Sequence, residues 1–318
     1  MKLAHICVLK DALINALDSH NDGIIIDCTL GFGGHSLALL QTYKQCMIFG
    51  IDRDECALNL AKAQFKQAGL SDRVEFFHSD FGSAIAKLKK EQLRQVRAII
   101  ADIGVSSMQL DDKMRGFSFE SNNLDMRMDT RQTKSAYNVI NTYSAYELER
   151  VFRDYGEIRE SKKLTNALLQ ARPITSGIEL CEIASKILPR TNSLHPATRV
   201  FQAIRIEVNN ELVQLQNLLH SIKQFALLGD LSNVRVCIIS FHSLEDRIVK
   251  NAFKDFSSHC ICPMSVMKCE CGGNNALGNI ITKKPILPND EEIQYNPRAR
   301  SAKMRIFDIT KKGERNVK

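Results

Sequence analysis

The sequence predicts an α/β fold in which a helical domain is inserted into a mostly parallel sheet. Short apolar runs rich in β-branched residues recur over about the first hundred residues, with helical patterns between them. This alternation is typical of parallel βαβ units, whose helices cover both faces of the sheet. The strand pattern then stops and resumes near residue 234. The 318 residues of the chain suffice for two domains of roughly 150 residues each.

The predicted strands are short apolar runs bounded by polar or glycine residues. In the first part of the chain we expect strands at Gly23–Thr29, Met47–Asp52, Val74–His78 and Val96–Asp102. Between the second and third strands, Glu55–Ala68 repeats its apolar residues at helical spacing, which predicts an amphipathic helix. Later in the chain we expect strands at Val234–Ser240 and Lys303–Ile309, with a helix at Ser243–Phe256.

The central segment is predicted to be helical, because it contains no comparable apolar β-branched run. The expected helices are Ala145–Tyr155, Ser161–Leu169, Ile178–Leu188 and one long helix from Ala197 to about Leu228. Prolines interrupt the segment at positions 173, 189 and 196, and proline favours helix boundaries. We therefore expect residues 1–110 and 213–318 to form the two parts of the α/β domain, the second with a basic C-terminal tail. Residues 111–212 then form the inserted domain.

The composition is that of an ordinary globular protein, but its charge is uneven. Hydrophobic residues make up 44% and charged residues 25% of the chain, and the net charge is +7. Residues 298–318 contain eight basic residues and two acids. Such a tail is typical both of a solvated chain end and of a nucleic-acid-binding surface. The charge count alone does not choose between them.

Location is predicted from what the sequence lacks. No apolar stretch reaches the ~18 to 20 residues that a membrane span requires, and the first residues do not form a secretory signal. The ten cysteines are scattered, unlike a disulfide framework. We expect a cytoplasmic protein with reduced thiols and no membrane partner. A homodimer is compatible with the sequence, which does not fix the oligomeric state.

A glycine-rich loop follows the first predicted strand. Gly31, Gly33 and Gly34 lie where open α/β sheets bind cofactors, and glycine lets the backbone approach a ligand closely. Asp52 ends the second strand, the place from which an acid can accept hydrogen bonds from ribose hydroxyls. A tight turn alone would explain the glycines. The glycines together with Asp52 favour a cofactor site.

The spacing of the loop narrows the choice of cofactor. Both the dinucleotide fingerprint G-x-G-x-x-G and the phosphate loop G-x-x-x-x-G-K-[ST] are absent. S-adenosylmethionine carries a ribose and an adenine but no phosphate, so it suits a site built from acids and an apolar slot. Asp27 before the loop and Ser79–Phe81 after the third strand suit this cofactor. Phe81 either flanks the adenine or packs in the core.

The end of the fourth strand completes a recognisable pattern. The matching stretches are Gly31–Ser36 (GFGGHS), Asp102–Asp111 (DIGVSSMQLD), Gly116–Phe119 (GFSF), Leu124–Asp129 (LDMRMD), His195–Arg199 (HPATR), Phe201–Leu212 (FQAIRIEVNNEL), Ser240–Lys250 (SFHSLEDRIVK) and Asn296–Arg305 (NPRARSAKMR). With these blocks the sequence resembles the RsmH (MraW) family, bacterial methyltransferases that modify cytosine N4 in small-subunit ribosomal RNA. In that family a leucine is more usual on either side of this aspartate, whereas here Asp102 lies between Ala101 and Ile103. Both changes are mild.

The resemblance implies a class I S-adenosylmethionine-dependent methyltransferase fold, Rossmann-like, with an inserted helical domain. It implies a 16S ribosomal RNA (cytosine-N4)-methyltransferase that acts on the decoding region of the small ribosomal subunit. The cofactor contacts that it implies are Gly33, Gly34, His35, Asp52, Phe81, Asp102 and Gln109. Asp102 is also our candidate acceptor for the target amine. The sequence does not separate that catalytic role from cofactor binding.

The chemistry of the target atom excludes one alternative. Methylation at cytosine C5 needs a nucleophilic cysteine, often in a Pro-Cys pair, and the chain has no Pro-Cys dipeptide. The strand cysteines Cys28 and Cys237 are expected to be small buried hydrophobes.

Two other classes of protein share some of these features. A nicotinamide dehydrogenase would share the fold but should show G-x-G-x-x-G. A non-catalytic RNA-binding subunit could dispense with Gly33, Asp52 and Asp102.

The basic tail supplies our candidates for RNA binding. Arg298 and Arg300 follow the dipeptide Asn296–Pro297, and we predict that they face RNA. The competing interpretation is that one of them pairs with an acid of the inserted domain. Because Lys303–Ile309 alternates like a strand, we expect Lys303 and Arg305 to be partly structural.

Four cysteines are grouped late in the chain. Cys260 and Cys262, and then Cys269 and Cys271, form two C-x-C pairs. Four thiolates can close a tetrahedral zinc site, but C-x-C is a less typical zinc spacing than C-x-x-C and the intervening loop is short. From the sequence we therefore expect reduced surface thiols and no metal.

Overall fold

The computed structural model describes residues 7–190, 195–263, 265–266 and 268–310. These residues divide into two compact units. The described residues up to Gly104 and from Val213 onward form an α/β unit, and Val105–Leu212 form a helical unit. Our predicted boundaries are residues 110 and 212, and the two compact units meet along the chain after Gly104 and after Leu212. Val105 and Leu110 fall in the helical unit because they pack against its apolar core.

The described residues of the α/β unit form a seven-stranded sheet of order β3-β2-β1-β4-β5-β7-β6. The first five strands run parallel, whereas β7 is antiparallel to both β5 and β6. The strands are β1 (Ile24–Asp27), β2 (Met47–Asp52), β3 (Val74–His78), β4 (Val96–Asp102), β5 (Val234–Ser240), β6 (Gly278–Ile280) and β7 (Lys303–Ile309). The expected strands are confirmed, β1 with narrower bounds.

Both faces of this sheet are buried, which is why its central strands are apolar throughout. Successive residues of a strand point to opposite faces. Ile24 and Ile26 accordingly enter one apolar cluster and Ile25 enters the other. All four residues of β1 are buried. β6 is too short to predict. Its first residue, Gly278, has to be glycine because a Cβ there would lie 1.8 Å from the Asp308 carbonyl oxygen.

Helices flank the strands of the α/β unit and make up most of the helical unit. In the first part of the chain they are α1 (Lys10–Ala16), α2 (Gly34–Thr42), α3 (Glu55–Gln67) and α4 (Lys90–Leu93). The next are α5 (Ser107–Asp111), α6 (Ala136–Thr142), α7 (Ala145–Asp154), α8 (Ser161–Ala171), α9 (Gly177–Ile187) and α10 (Ala197–Asn209). The last are α11 (Glu211–Leu227), α12 (Ser243–Phe256) and α13 (Asp290–Tyr295). Within the part of the chain that the structure describes, no helix is long and apolar enough to cross a membrane.

The prediction of a single long helix from Ala197 to about Leu228 was wrong. The first helix, α10, ends at Asn210, which adopts a left-handed conformation with φ 52°. Asparagine tolerates that conformation better than most residues. The preceding Asn209 is fully buried: its amide nitrogen donates to the Met126 carbonyl at 2.8 Å, and its amide oxygen accepts from the Met128 N–H at 2.8 Å. Helical periodicity alone does not reveal these bonds.

Candidate active site

The loops after β1, β2 and β4 meet at one edge of the sheet. Parallel pairing places Asp27 at the end of β1 opposite Gly50 of β2 and Ile100 of β4. Two hydrogen bonds then join the loops. The Asp102 N–H donates to the Thr29 hydroxyl oxygen at 2.6 Å, and the Gly31 N–H donates to the Asp52 carboxylate at 2.6 Å. The carboxyl ends of the three strands are thereby fixed relative to one another.

The glycine loop turns directly into α2. Gly33 caps that helix with φ 80°, and Gly34 is its first residue. A Cβ on Gly33 would lie 2.5 Å from the Phe65 ring. This position therefore requires glycine for two structural reasons, conformation and close packing. The same constraint holds the backbone of the loop beside the Asp52 carboxylate.

Asp52 is organised to accept hydrogen bonds. One carboxylate oxygen accepts from the Gly31 N–H, and the other accepts from the Asp54 N–H at 2.8 Å. The Arg53 backbone N–H also donates to this carboxylate. A carboxylate has about four lone-pair directions, so one remains for a ligand. Burial raises the pKa of Asp52 from its ordinary value, and the backbone donors oppose that rise. This geometry suits a ligand that carries a hydroxyl group.

Asp102 carries a buried acceptor that the protein itself does not satisfy. Its Oδ1 atom has no hydrogen-bond partner among the described residues, and its Oδ2 atom lies 3.7 Å from Nδ1 of His35. Burial, and then the charge of Glu245, raise the pKa of Asp102 to about 7. A buried unsatisfied acceptor costs free energy. A ligand that donates a hydrogen bond here would remove that cost.

His35 is held as a neutral imidazole beside Asp102. Its Nε2 atom lies 2.9 Å from the Val8 carbonyl oxygen, which can only accept. Nε2 therefore carries the hydrogen. Burial lowers the pKa of the ring, so Nδ1 keeps its lone pair and faces Asp102 without a proton of its own. His35 orients the site but does not neutralise its acids.

A second acid, Asp27, lines the same cleft as His35 and Asp102. A small cleft is lined by Leu13, Asp27, His35, Ile100, Ala101, Asp102, Cys237 and Ile239. The Ser36 hydroxyl donates to Asp27 at 2.6 Å, and burial raises the pKa of Asp27 to about 6. Asp27 was expected to precede the loop. Its position in the cleft beside Asp102 becomes visible only in the folded chain.

Sequence reasoning missed two further contributors, Thr29 and Glu245. Glu245 is fully buried in α12, and its carboxylate accepts from the Phe241 N–H at 2.9 Å. His242 caps the same helix and places its Nε2 atom 3.0 Å from the Glu245 carboxylate. The sequence carried no clear signal for Glu245, because the residue three positions before it is His242 rather than the Ser, Thr, Asp or Asn that marks a capping box. Its influence on Asp102 is visible only in the folded chain.

Phe81 and Gln109 have clear packing or capping roles. Phe81 is 8% exposed and belongs to the apolar core of the α/β unit. Gln109 belongs to the helical unit. Its side-chain oxygen accepts from the Ser106 N–H at 3.0 Å, and its own N–H donates to the Ser106 hydroxyl at 3.2 Å. The cofactor roles of both residues stay predictions.

The predicted RNA-facing arginines lie in the short 3₁₀ turn Pro297–Ser301. Both Arg298 and Arg300 are exposed, whereas Ala299 between them is buried. Arg305 differs: it is 8% exposed in β7 and binds the Asp246 carboxylate at 2.7 and 3.1 Å. The structural role that we expected for Arg305 is confirmed. The other predicted basic residues of the tail, from position 311 onward, lie outside the described residues.

The sequence also matches known proteins along nearly its whole length. The model of the MraW methylase family matches residues 2–310. The chain belongs to the MraW methylase family. Two similar relatives are both named ribosomal RNA small subunit methyltransferase H. The one from Helicobacter hepaticus is 49% identical and covers 99% of this chain and 100% of its own length. The one from Nitratiruptor sp. is 51% identical and covers 94% of this chain and 98% of its own length.

The sheet order of the α/β unit together with membership of the MraW methylase family confirms the predicted class I methyltransferase fold, and S-adenosylmethionine is the cofactor of that fold. The residues of this chain fit that group. Asp52 retains an acceptor direction for a ribose hydroxyl, and Asp102 offers a buried oxygen without a partner among the described residues. Asp27 and Glu245 add negative charge near Asp102, which suits a ligand that carries positively charged sulfur.

We expect Asp52→Ala to weaken S-adenosylmethionine binding by about 3 kcal/mol, roughly a hundredfold, because charge-assisted hydrogen bonding to the ribose is lost. Isothermal titration calorimetry measures this directly. Asp72→Ala, which removes an exposed acid of the same unit, is the matched control and should bind normally. Equal affinity in the two variants would remove Asp52 from the cofactor site.

Proposed function

We propose that this chain transfers a methyl group from S-adenosylmethionine to the N4 amine of a cytidine in 16S ribosomal RNA. The target lies in the decoding region, and the substrate is the small ribosomal subunit. The proposal rests on one structural observation above the others, the buried Asp102 oxygen without a partner at the carboxyl end of β4. The names of the relatives from Helicobacter hepaticus and Nitratiruptor support the ribosomal substrate.

The thiols around the site favour an amine target over a ring carbon. Cys28 and Cys237 are 1% and 0% exposed, and burial raises the pKa of both thiols. Burial and the charge of Asp102 likewise raise the pKa of Cys7 to about 12. The thiolate is the reactive form of cysteine, so these residues supply no nucleophile. An exocyclic amine needs none.

The Asp102 carboxylate performs the acid–base part of the reaction. When bound, the cofactor supplies a methyl group already activated on positively charged sulfur. The N4 lone pair is delocalised into the cytosine ring, so the amine must be held in line with that methyl group. Asp102 Oδ1 accepts a hydrogen bond from the amine, orients it and takes up a proton as the new nitrogen–carbon bond forms.

The exposed arginines provide the contact with the RNA backbone. Arg298 and Arg300 share a short turn whose middle residue, Ala299, anchors it in the core. Guanidinium groups bind phosphate oxygens through several parallel donors. A turn anchored in this way presents two cations without itself being free to move. We infer that this pair positions the ribosomal RNA.

The proposed reaction is tested on small subunits from a strain that lacks the protein. Incubation with the purified enzyme and S-adenosylmethionine should add one methyl group to one cytidine, and nucleoside analysis should identify N4-methylcytidine. Asp102→Ala should fold, bind subunits and transfer no methyl group. A methyl group at C5, on another base or in another RNA would overturn the assignment. Naked 16S RNA run in parallel shows whether the assembled subunit is required.

The rate of methyl transfer should rise with pH around neutrality. The raised pKa of Asp102, about 7, leaves the carboxyl group protonated below that pH and able to accept a proton above it. Glu245→Gln removes a neighbouring negative charge and so lowers the pKa of Asp102. The rise in the methyl-transfer rate of this variant should therefore occur at lower pH. The residual activity of Asp102→Asn should show no rise near pH 7. Single-turnover rates between pH 5.5 and 9 test this, and an unchanged profile in both variants would exclude Asp102 as the titrating group.

Replacing both Arg298 and Arg300 by alanine should weaken RNA binding and flatten its salt dependence. The log–log slope is roughly −0.7 per neutralised phosphate on single strands, so the loss should be about one unit or slightly more. Affinity for S-adenosylmethionine should not change. Lys44→Ala with Lys66→Ala removes the same charge from exposed positions and serves as the control. A lower thermal stability with an unchanged slope would instead show that the arginines are structural.

A further inference from the structure

The loop between α12 and β6 holds its shape without a core of its own. None of its described residues from 257 to 276 is buried. Ile261, an aliphatic residue in the middle of the loop, is 62% exposed. A segment that buries so little apolar surface does not offset its conformational entropy by packing. Small units of this kind usually depend on a disulfide or a metal ion.

The four cysteines of this loop converge on one point. Their Sγ atoms all lie within 4.8 Å of one another. The Sγ atoms of Cys260 and Cys269 are 3.6 Å apart, those of Cys269 and Cys271 are 3.6 Å apart, and those of Cys260 and Cys271 are 3.7 Å apart. A zinc–sulfur bond of about 2.3 Å in tetrahedral geometry requires sulfurs about 3.8 Å apart. A disulfide would require about 2.05 Å.

The backbone around the cluster is arranged for thiolates. The Ile261 N–H donates to Cys271 Sγ at 3.3 Å, and the Glu270 N–H donates to Cys262 Sγ at 3.3 Å. Ile261 lies within the first C-x-C pair and donates to the second cysteine of the other pair. Glu270 lies within the second pair and donates to the second cysteine of the first. Such bonds to ligand atoms orient a metal site and stabilise its negative charge. The two pairs thus form a reciprocal arrangement.

The chain reversal after the cluster also fits a closed site. Gly272 and Gly273 both have positive φ, 77° and 65°. They let the chain turn immediately after Cys271. Asn275 then closes the base of the loop, because its side-chain nitrogen donates to the His259 and Cys271 carbonyl oxygens at 3.2 Å. The ends of the loop are thus tied together on the same side as the sulfurs.

We propose that Cys260, Cys262, Cys269 and Cys271 bind one Zn²⁺ ion in a structural site. This reverses the expectation from spacing alone. The C-x-C spacing argued against zinc, but the 3.6 Å separation within the second pair lets both sulfurs bind the same ion. Four thiolates in tetrahedral geometry favour zinc or a single iron. A multi-iron cluster does not fit, since four cysteines that bind two or four different irons lie farther apart than the four sulfurs here, which are all within 4.8 Å of one another.

Metal analysis of the full chain tests the site. Protein purified under reducing conditions without chelator should contain about one zinc per chain by elemental analysis, the stoichiometry of a four-ligand site. Cys271→Ser and Cys262→Ser should each lose most of the zinc. Cys56→Ser removes an exposed thiol outside the cluster and should retain it. S-adenosylmethionine binding by all three variants shows that they are folded.

A second readout follows the loop itself. Removing the ion with a chelator should make residues 257–276 sensitive to limited proteolysis, and added Zn²⁺ should restore protection in the wild type but not in Cys271→Ser. Cobalt should occupy the same site and show the visible absorption of a tetrahedral thiolate complex. The proposal is overturned if reduced protein takes up no zinc on reconstitution, if Cys56→Ser loses as much zinc as the cluster variants, or if iron is found instead.

Discussion

The parallel pairing of β1 with β2 and β4 is the constraint on which the rest of the site depends. It brings the carboxyl ends of three strands to one edge of the sheet. Two bonds, from Asp102 to Thr29 and from Gly31 to Asp52, then fix the loops. Side chains that lie far apart in the sequence become neighbours because the strands are adjacent in the sheet. A break in that pairing would separate Asp27, Asp52 and Asp102 from one another.

The site brings several acidic side chains together in a buried place, where little water can solvate their charges. Burial raises the pKa of Asp27, Asp52 and Asp102, and the charge of Glu245 raises that of Asp102 further. Acids in such a place are held closer to the neutral form than in water. A cationic ligand reverses this balance, because it stabilises the ionised form. A site of this kind is therefore suited to a positively charged cofactor and an amine substrate.

The strands were predictable because the residue pattern within each short segment is enough to identify it. A sheet buried on both faces favours short apolar runs in its central strands, and alternation marks a strand such as 303–309. The stretches at 47–52, 74–78, 96–102, 234–240 and 303–309 match the observed strands. The inserted helical unit was likewise predictable from its periodicity. The break at Asn210 was not, since it depends on the Asn209 side chain reaching Met126 and Met128. Such long-range bonds leave no periodic signal.

The sequence by itself determined the fold class, the glycine-rich loop after β1 and the acids at the strand ends. Those features depend on local composition and on the rule that parallel strands share an edge. Only the tertiary structure decided that Glu245 influences Asp102, that Phe81 packs in the core and that Arg305 binds Asp246. It also decided that the two C-x-C pairs converge. The physical reason is the same in each case: burial, charge coupling and ligand geometry depend on distances between residues that the linear sequence does not contain.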